Sequence, residues 1–228
     1  MPTLSRAEKL YPAHTAVLVV DVQNAWCHRD GPRFLNREPE VLATLKLNLE
    51  LLTRSARASS ALRVFIRTAH DPVFLSPAYG EQLRIQGTYG RIVAGSWDAD
   101  YWEDMRPQRE CRDVEVTKHR YSAFRGTNLE LVLSSNGIKT IVVCGVATGG
   151  CVFATALEGF LGDYYTVIAA DAVADRDQTV HDVFLRRFQD TCGEVLSAAD
   201  IVKSWPLTTS ARCDNGALQN AAVHSLDS

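Results

Sequence analysis

The chain has 228 residues, 46% hydrophobic, 22% charged and 8% aromatic, with 24 basic against 27 acidic side chains and a formal net charge of −3. That composition suits one generous globular domain or two tight ones, with a core that needs no metal or disulfide staple. The near-balance of charge offers no footprint for a polyanion and argues against nucleic acid as a partner. There is no run of about 18 apolar residues and no apolar N-terminal leader, so no membrane span is expected and the protein reads as soluble, untargeted and cytoplasmic. The six cysteines, at 27, 111, 144, 151, 192 and 213, show neither CxxC nor zinc-like spacing and read as buried thiols rather than a secreted disulfide framework.

Taken in chain order, apolar β-branched runs at 16–22, 62–68, 113–117, 140–144 and 166–170, with a short sixth at 194–196, alternate with helical stretches. The first helix, 39–59, places Val41, Leu42, Leu45, Leu49 and Leu52 on one face and has Pro39 in its first turn. Helices over 128–135, ended by Asn136-Gly137, over 150–162 and over 179–190 follow. This alternation predicts a three-layer α/β/α, Rossmann-like domain over 1–207, with a six-stranded, mainly parallel sheet in the order 3-2-1-4-5-6. The pattern is broken at 71–112, a long insertion rich in Gly, Pro and aromatics that reads as a binding loop or lid. From 208 to 228 the chain turns small and polar, as expected of a tail or of an arm packed on a partner subunit.

In an open parallel sheet ligands bind beyond the carboxyl ends of the strands, where strand order reverses. Asp21 follows the first strand, Lys118 the third, and the Gly-rich turn ending in Cys151 the fourth. In the order given, strands one and four are neighbours, which sets Asp21 beside Cys151. The turn into a helix would hold the thiol near unpaired N–H groups, and Lys118 would lower its pKa further. Asp21 could take the thiol proton and hand it to a leaving amine. The N–H groups of Ala147 and Cys151 would form an oxyanion hole. Each feature also has an ordinary counterpart: a capping Asp, a solvated Lys, a Gly pair that permits close packing or cradles a phosphate. Together they are the complement that nucleophilic amide hydrolysis requires.

The segments TAVLVVDVQNAWC, GSWDADYWEDMRPQ, VTKHRYSAFRGTNLELVL and IVVCGVATGGCVFATALEGF resemble the isochorismatase-like cysteine hydrolase superfamily, over about residues 14–203. The resemblance implies a catalytic Asp21, Lys118 and Cys151 and a cis peptide between Val146 and Ala147. It also implies a homodimer or homotetramer that acts on a small-molecule substrate without a cofactor. Members that cleave only a vinyl ether lack the cysteine, so Cys151 favours C–N hydrolysis through a thioester. Nicotinamidases carry an Asp-x-His metal site after the second strand with a further His downstream. Here Ala69-His70-Asp71-Pro72 supplies one His and none follows before His119, so no metal is expected, and nicotinamide is not the expected substrate. GSWD with KHRYSAF is closest to the ureido and carbamoyl amidohydrolase branch, which includes N-carbamoylsarcosine and ureidoacrylate amidohydrolases. Substrate binding would then fall to Asn24, Trp26, Tyr121 and Phe124. Two other classes stay open: a vinyl-ether hydrolase, and a small-molecule-binding or thiol redox-sensing protein.

Overall fold

The computed structural model describes residues 4–205; the tail expected from residue 208 lies outside them. In chain order the elements are α1 (Arg6–Lys9), β1 (Thr15–Val20), α2 (Asn24–Cys27), α3 (Pro39–Ser59), β2 (Leu62–Thr68), α4 (Pro77–Ile85), β3 (Val114–Lys118), α5 (Leu129–Ser135), β4 (Thr140–Val146), α6 (Phe153–Leu161), β5 (Tyr165–Ala174), α7 (Gln178–Thr191), β6 (Glu194–Leu196) and α8 (Ala198–Val202). All six strands pair in parallel in the order β3-β2-β1-β4-β5-β6. The chain runs outward from β1 on one side and from β4 on the other, so the switch point lies between them.

Every residue of β1 is buried, as a central parallel strand covered on both faces requires. Its alternation sends Val17 and Val19 to one core with Leu45, Leu49 and Leu52 of α3 and Ala198 and Ile201 of α8. Ala16, Leu18 and Val20 go to the other, with Leu129 and Leu133 of α5, Ala156 of α6 and Phe188 of α7. α3 begins with Pro39 at its first turn and stops at Ser60, which takes a left-handed φ of 64°.

The 71–112 insertion is structured rather than filler. It carries α4, capped by the Ser76 hydroxyl, and is tied down by a bridge from Val93 to His70 and another from Tyr101 to Gln23. Tyr101, Trp102 and Met105 enter the α3-side core. At its end the buried Asp113 carboxylate joins Arg57 of α3 at 2.6 Å and Arg63 of β2 at 2.8 Å, fastening the insertion to both. Among the described residues no helix is long and apolar enough to cross a membrane.

Candidate active site

Three strand ends and one turn converge at the switch point. Parallel register puts Thr68, the last residue of β2, opposite Lys118, the last of β3, so both side chains rise on the same face. Val20 closes β1 opposite Gly145. Gly145 has φ +109°, and a Cβ there would lie 2.0 Å from the Val20 carbonyl oxygen; only glycine lets β4 approach β1 this closely. Asp21 then turns out of the strand with φ 52°, a left-handed conformation that Asp tolerates. The Val146–Ala147 peptide is cis. A wide turn, Thr148–Val152, leads from it into α6.

The result is a compact ionic centre. Lys118 Nζ lies 2.8 Å from Asp21 Oδ2 and donates to Cys151 Sγ at 3.1 Å, to Thr68 Oγ1 at 2.8 Å and to the Arg120 carbonyl at 3.0 Å. The Thr68 hydroxyl donates in turn to Asp21 Oδ1 at 3.0 Å. Asp21 and Lys118 are fully buried, whereas Cys151 is partly exposed. The Asp21–Lys118 ion pair is close, and the Asp21 carboxylate also acts on the Cys151 thiol.

The electrostatics correct one expectation. Burial raises the Cys151 thiol, the Asp21 charge raises it further, and Lys118 only partly opposes them, so it is pushed up to about 12. The helix entry and the ammonium do not make a free thiolate. For Lys118, burial opposes the charge, but Asp21 and Cys151 outweigh it and the pKa is raised. The resting site therefore holds an ammonium and a protonated thiol beside the carboxylate.

The four residues expected to bind substrate separate on inspection. Tyr121 is exposed, with its hydroxyl accepting from Gln86 Nε2 at 2.8 Å and its ring edge-on to Tyr79 of α4. Asn24 is buried, and its amide donates to the Trp97 carbonyl at 3.0 Å, so it holds the insertion. Trp26 packs between the α3-side core and the small cluster of Ala25, Ile92 and Ala99. Phe124 does not face this edge: it packs on the α6-side core, against Tyr164 and beneath Gly159. Tyr164 immediately precedes β5, which places Phe124 toward the opposite end of the strands.

Three residues to which the sequence assigned no catalytic or substrate-binding role also reach the site. Gln23 donates to the Thr68 and Ala99 carbonyls at 2.9 and 2.7 Å and accepts from the Thr68 N–H at 2.8 Å, locking the insertion to β2. Tyr79 has the Arg120 guanidinium 4.6 Å above its ring, and burial pushes its phenol up to about 12. His70 is buried with Nδ1 unpartnered. Burial, helped by the nearby Lys118 charge, brings its pKa down to about 4, so the imidazole is neutral. Among the described residues no group of three or more His, Cys, Asp or Glu side chains is placed to hold a metal ion.

Against known proteins, a family model for the isochorismatase domain matches residues 15–200. Ureidoacrylate amidohydrolase of Pantoea ananatis strain LMG 20103 is 31% identical over 175 residues, 71% of this chain and 69% of its own. The same enzyme from Serratia proteamaculans strain 568 is 30% identical over 186 residues, 75% and 74% of the two chains. Among solved structures, a cysteine hydrolase from Pseudomonas syringae pv. phaseolicola 1448A superposes with a TM-score of 0.76 at 25% identity, covering 85% of this chain and 92% of that one. N-carbamoylsarcosine amidase from Thermoplasma acidophilum gives 0.65 at 29% identity, covering 81% and 96%. With the family's domain matched across all six strands and the turn that carries Cys151, the chain belongs to the isochorismatase domain family.

Proposed function

We propose that the protein is a cysteine-dependent amidohydrolase that cleaves a C–N bond of a small amide, ureido or carbamoyl compound through a thioester on Cys151. The observation that carries this reading is the Lys118 ammonium touching both the Asp21 carboxylate, at 2.8 Å, and the Cys151 sulfur, at 3.1 Å. The names of the relatives, ureidoacrylate amidohydrolase and N-carbamoylsarcosine amidase, support the substrate class.

The chemistry follows from the resting charges. As substrate docks, Asp21 takes the thiol proton and the sulfur attacks the carbonyl carbon. Lys118 stays charged and stabilises the developing thiolate. The oxyanion is received by the Ala147 and Cys151 N–H groups. Three other N–H groups of the turn are committed elsewhere: Gly150 and Val152 donate to the Ala147 carbonyl, and Gly149 donates to Asp175. Protonated Asp21 delivers its proton to the departing amine or ammonia, the C–N bond breaks and the thioester remains. Asp21, again a carboxylate, takes a proton from water as the water attacks, and the thiol is restored.

The test is ammonia or amine release from a panel of ureido, carbamoyl and simple amide compounds, with intact mass spectrometry to trap the acylated enzyme. Cys151→Ala should abolish turnover and the mass adduct while leaving the fold intact; turnover surviving in that variant would refute the nucleophile and favour vinyl-ether cleavage, which needs no thiol. A redox-sensing role lacks a partner thiol close in sequence: Cys144 is fully buried and packs in the core on the opposite face of the sheet from Cys151.

A further inference from the structure

The turn that carries Cys151 is gripped from outside by the junction of β5 and α7. Asp175, one residue past β5, accepts the Gly149 N–H on Oδ2 at 2.7 Å. His181, in the first turn of α7, places Nδ1 2.9 Å from the Thr148 hydroxyl. Between these two bonds the backbone lies flat against the helix: a Cβ on Gly149 would stand 2.6 Å from Val180 Cγ1 and 3.0 Å from the Phe184 ring. The turn's own hydrogen bonding is irregular, with the Phe153 N–H shared between the Gly150 and Thr148 carbonyls. Gly150 departs from helical geometry with φ −115° and ψ −111°, and the Gly150 and Val152 N–H groups share one acceptor, the Ala147 carbonyl. The side-chain hydrogen bonds of Asp175 and His181 run to this turn and to the Asp177 backbone, not to Asp21, Lys118 or the sulfur.

We propose that Asp175 and His181 are positioning residues, a two-point clamp that fixes where the Cys151 sulfur and the Ala147 and Cys151 N–H groups stand relative to Asp21 and Lys118. A misplacement of about 1 Å at a reacting centre costs on the order of a hundredfold in rate, and these two are the side-chain hydrogen bonds to Thr148 and Gly149 among the described residues, beside the Phe153 N–H at the start of α6, which donates to the Thr148 carbonyl. The kinetic side of the proposal rests on the amidohydrolase reading; the geometric side does not, because the reactivity of Cys151 can be read directly.

The test uses the full chain and two measurements: steady-state kinetics on a ureido or carbamoyl substrate, and the rate at which iodoacetamide alkylates Cys151, followed by intact mass. Asp175→Ala and Thr148→Val should each lower kcat by about tenfold or more, with KM within about twofold, and should change the alkylation rate by about threefold or more. Asp175→Asn keeps an acceptor for the Gly149 N–H, and His181→Asn keeps a polar atom near the Nδ1 position, so both should stay close to wild type. Thr148→Val and His181→Leu remove the same bond, and their effects should not add. Unchanged kcat and alkylation in Asp175→Ala and Thr148→Val would overturn the clamp. So would losses that follow melting temperature and are not restored by the Asn variants. If Asp175→Ala does not fold, Thr148→Val and the His181 pair decide by the same criteria. If the wild-type protein turns over none of the compounds, the amidohydrolase reading falls, and alkylation alone decides the clamp.

Discussion

Replacing Lys118 with methionine isolates the central electrostatic claim. Methionine nearly matches the lysine stem in length and fills the same space, so the change removes charge and donors rather than packing. Lys118 is fully buried and has four polar neighbours within 3.1 Å, one of them the fully buried Asp21 carboxylate. Breaking a buried ion pair by deleting one partner costs about 3–5 kcal/mol, because the remaining charge stays desolvated and alone. For a domain of this size that corresponds to a drop in Tm of roughly 6–20 °C. The Thr68 hydroxyl still donates to Asp21 Oδ1, which places the expected loss at the lower end. Urea denaturation measures it, and an unchanged slope with denaturant confirms that stability alone has moved.

The second variant of the cycle is Asp21→Asn/Lys118→Met. Asn keeps the shape, removes the charge and tolerates the left-handed backbone at position 21, so the double variant should recover at least about half of what Lys118→Met loses. Both should be inactive. If Lys118→Met stays within about 1 kcal/mol of wild type, or if adding Asp21→Asn lowers stability further, the carboxylate is not held as a buried charge and the proton inventory given for the resting site is wrong.

Three further outcomes are expected. Because the Cys151 thiol is pushed up to about 12, its alkylation by iodoacetamide should rise about tenfold per pH unit between pH 7 and 10; a plateau already reached at pH 7 would show a free thiolate instead. Gly149→Ala should cost about 1–3 kcal/mol, since its Cβ would collide with Val180, and Val180→Ala should return most of that; no relief from the second change would place the strain elsewhere. His70 has a folded pKa of about 4 against the 6.5 of an ordinary histidine, through burial and the Lys118 charge. As pH falls below about 6.5 the unfolded chain takes up a proton that the folded one refuses, so stability is lost between about pH 6.5 and 4. His70→Phe should flatten part of that slope; His181, which burial lowers in the same direction, and the carboxylates held low by their partners, such as Asp98 beside Arg91, contribute to the remainder. An unchanged slope in His70→Phe would refute the assignment.

The parts of the fold that periodicity carries strongly were legible to the residue. α3 has a long apolar face and a proline start, and β2 is a short apolar run between turn residues; both occupy the expected 39–59 and 62–68. The ends that moved did so for local reasons. β1 stops at Val20 rather than at 22 because Asp21 adopts φ 52°. β5 continues to Ala174, past the expected 170, although Asp171 interrupts its apolar run; that carboxylate is used, accepting the Ala198 N–H at 2.7 Å to start α8. α6 begins at Phe153 rather than 150 because Gly150 is not helical. α1, α2 and α8 are only four or five residues long, too short to show an amphipathic period.

The site divides along the same line between what is local and what is shared. Asp21, Lys118 and Cys151 could be read because each lies at or beyond the carboxyl end of a strand, and strand order alone decides which strand ends are neighbours; that Asp21 and Cys151 come within 3.1 Å of the Lys118 Nζ is a consequence of topology. The thiol's proton affinity could not be read that way, since it depends on burial against Asp21, a property of the assembled centre rather than of the turn. Phe124 was misplaced because the loop after β3 doubles back beneath α6 before α5 begins, and nothing in SAFRG marks the reversal. Asp175 and His181 read as an ordinary acid after a strand and an ordinary helical histidine. Their significance lies in Gly149, where a glycine that looks like one more flexible turn residue is the point at which α7 meets the nucleophile's backbone. On the proposed reading the chemistry falls to residues at strand ends and their placement to the β5–α7 junction behind them, so a variant on α7 is the sharpest probe of how the sulfur is held.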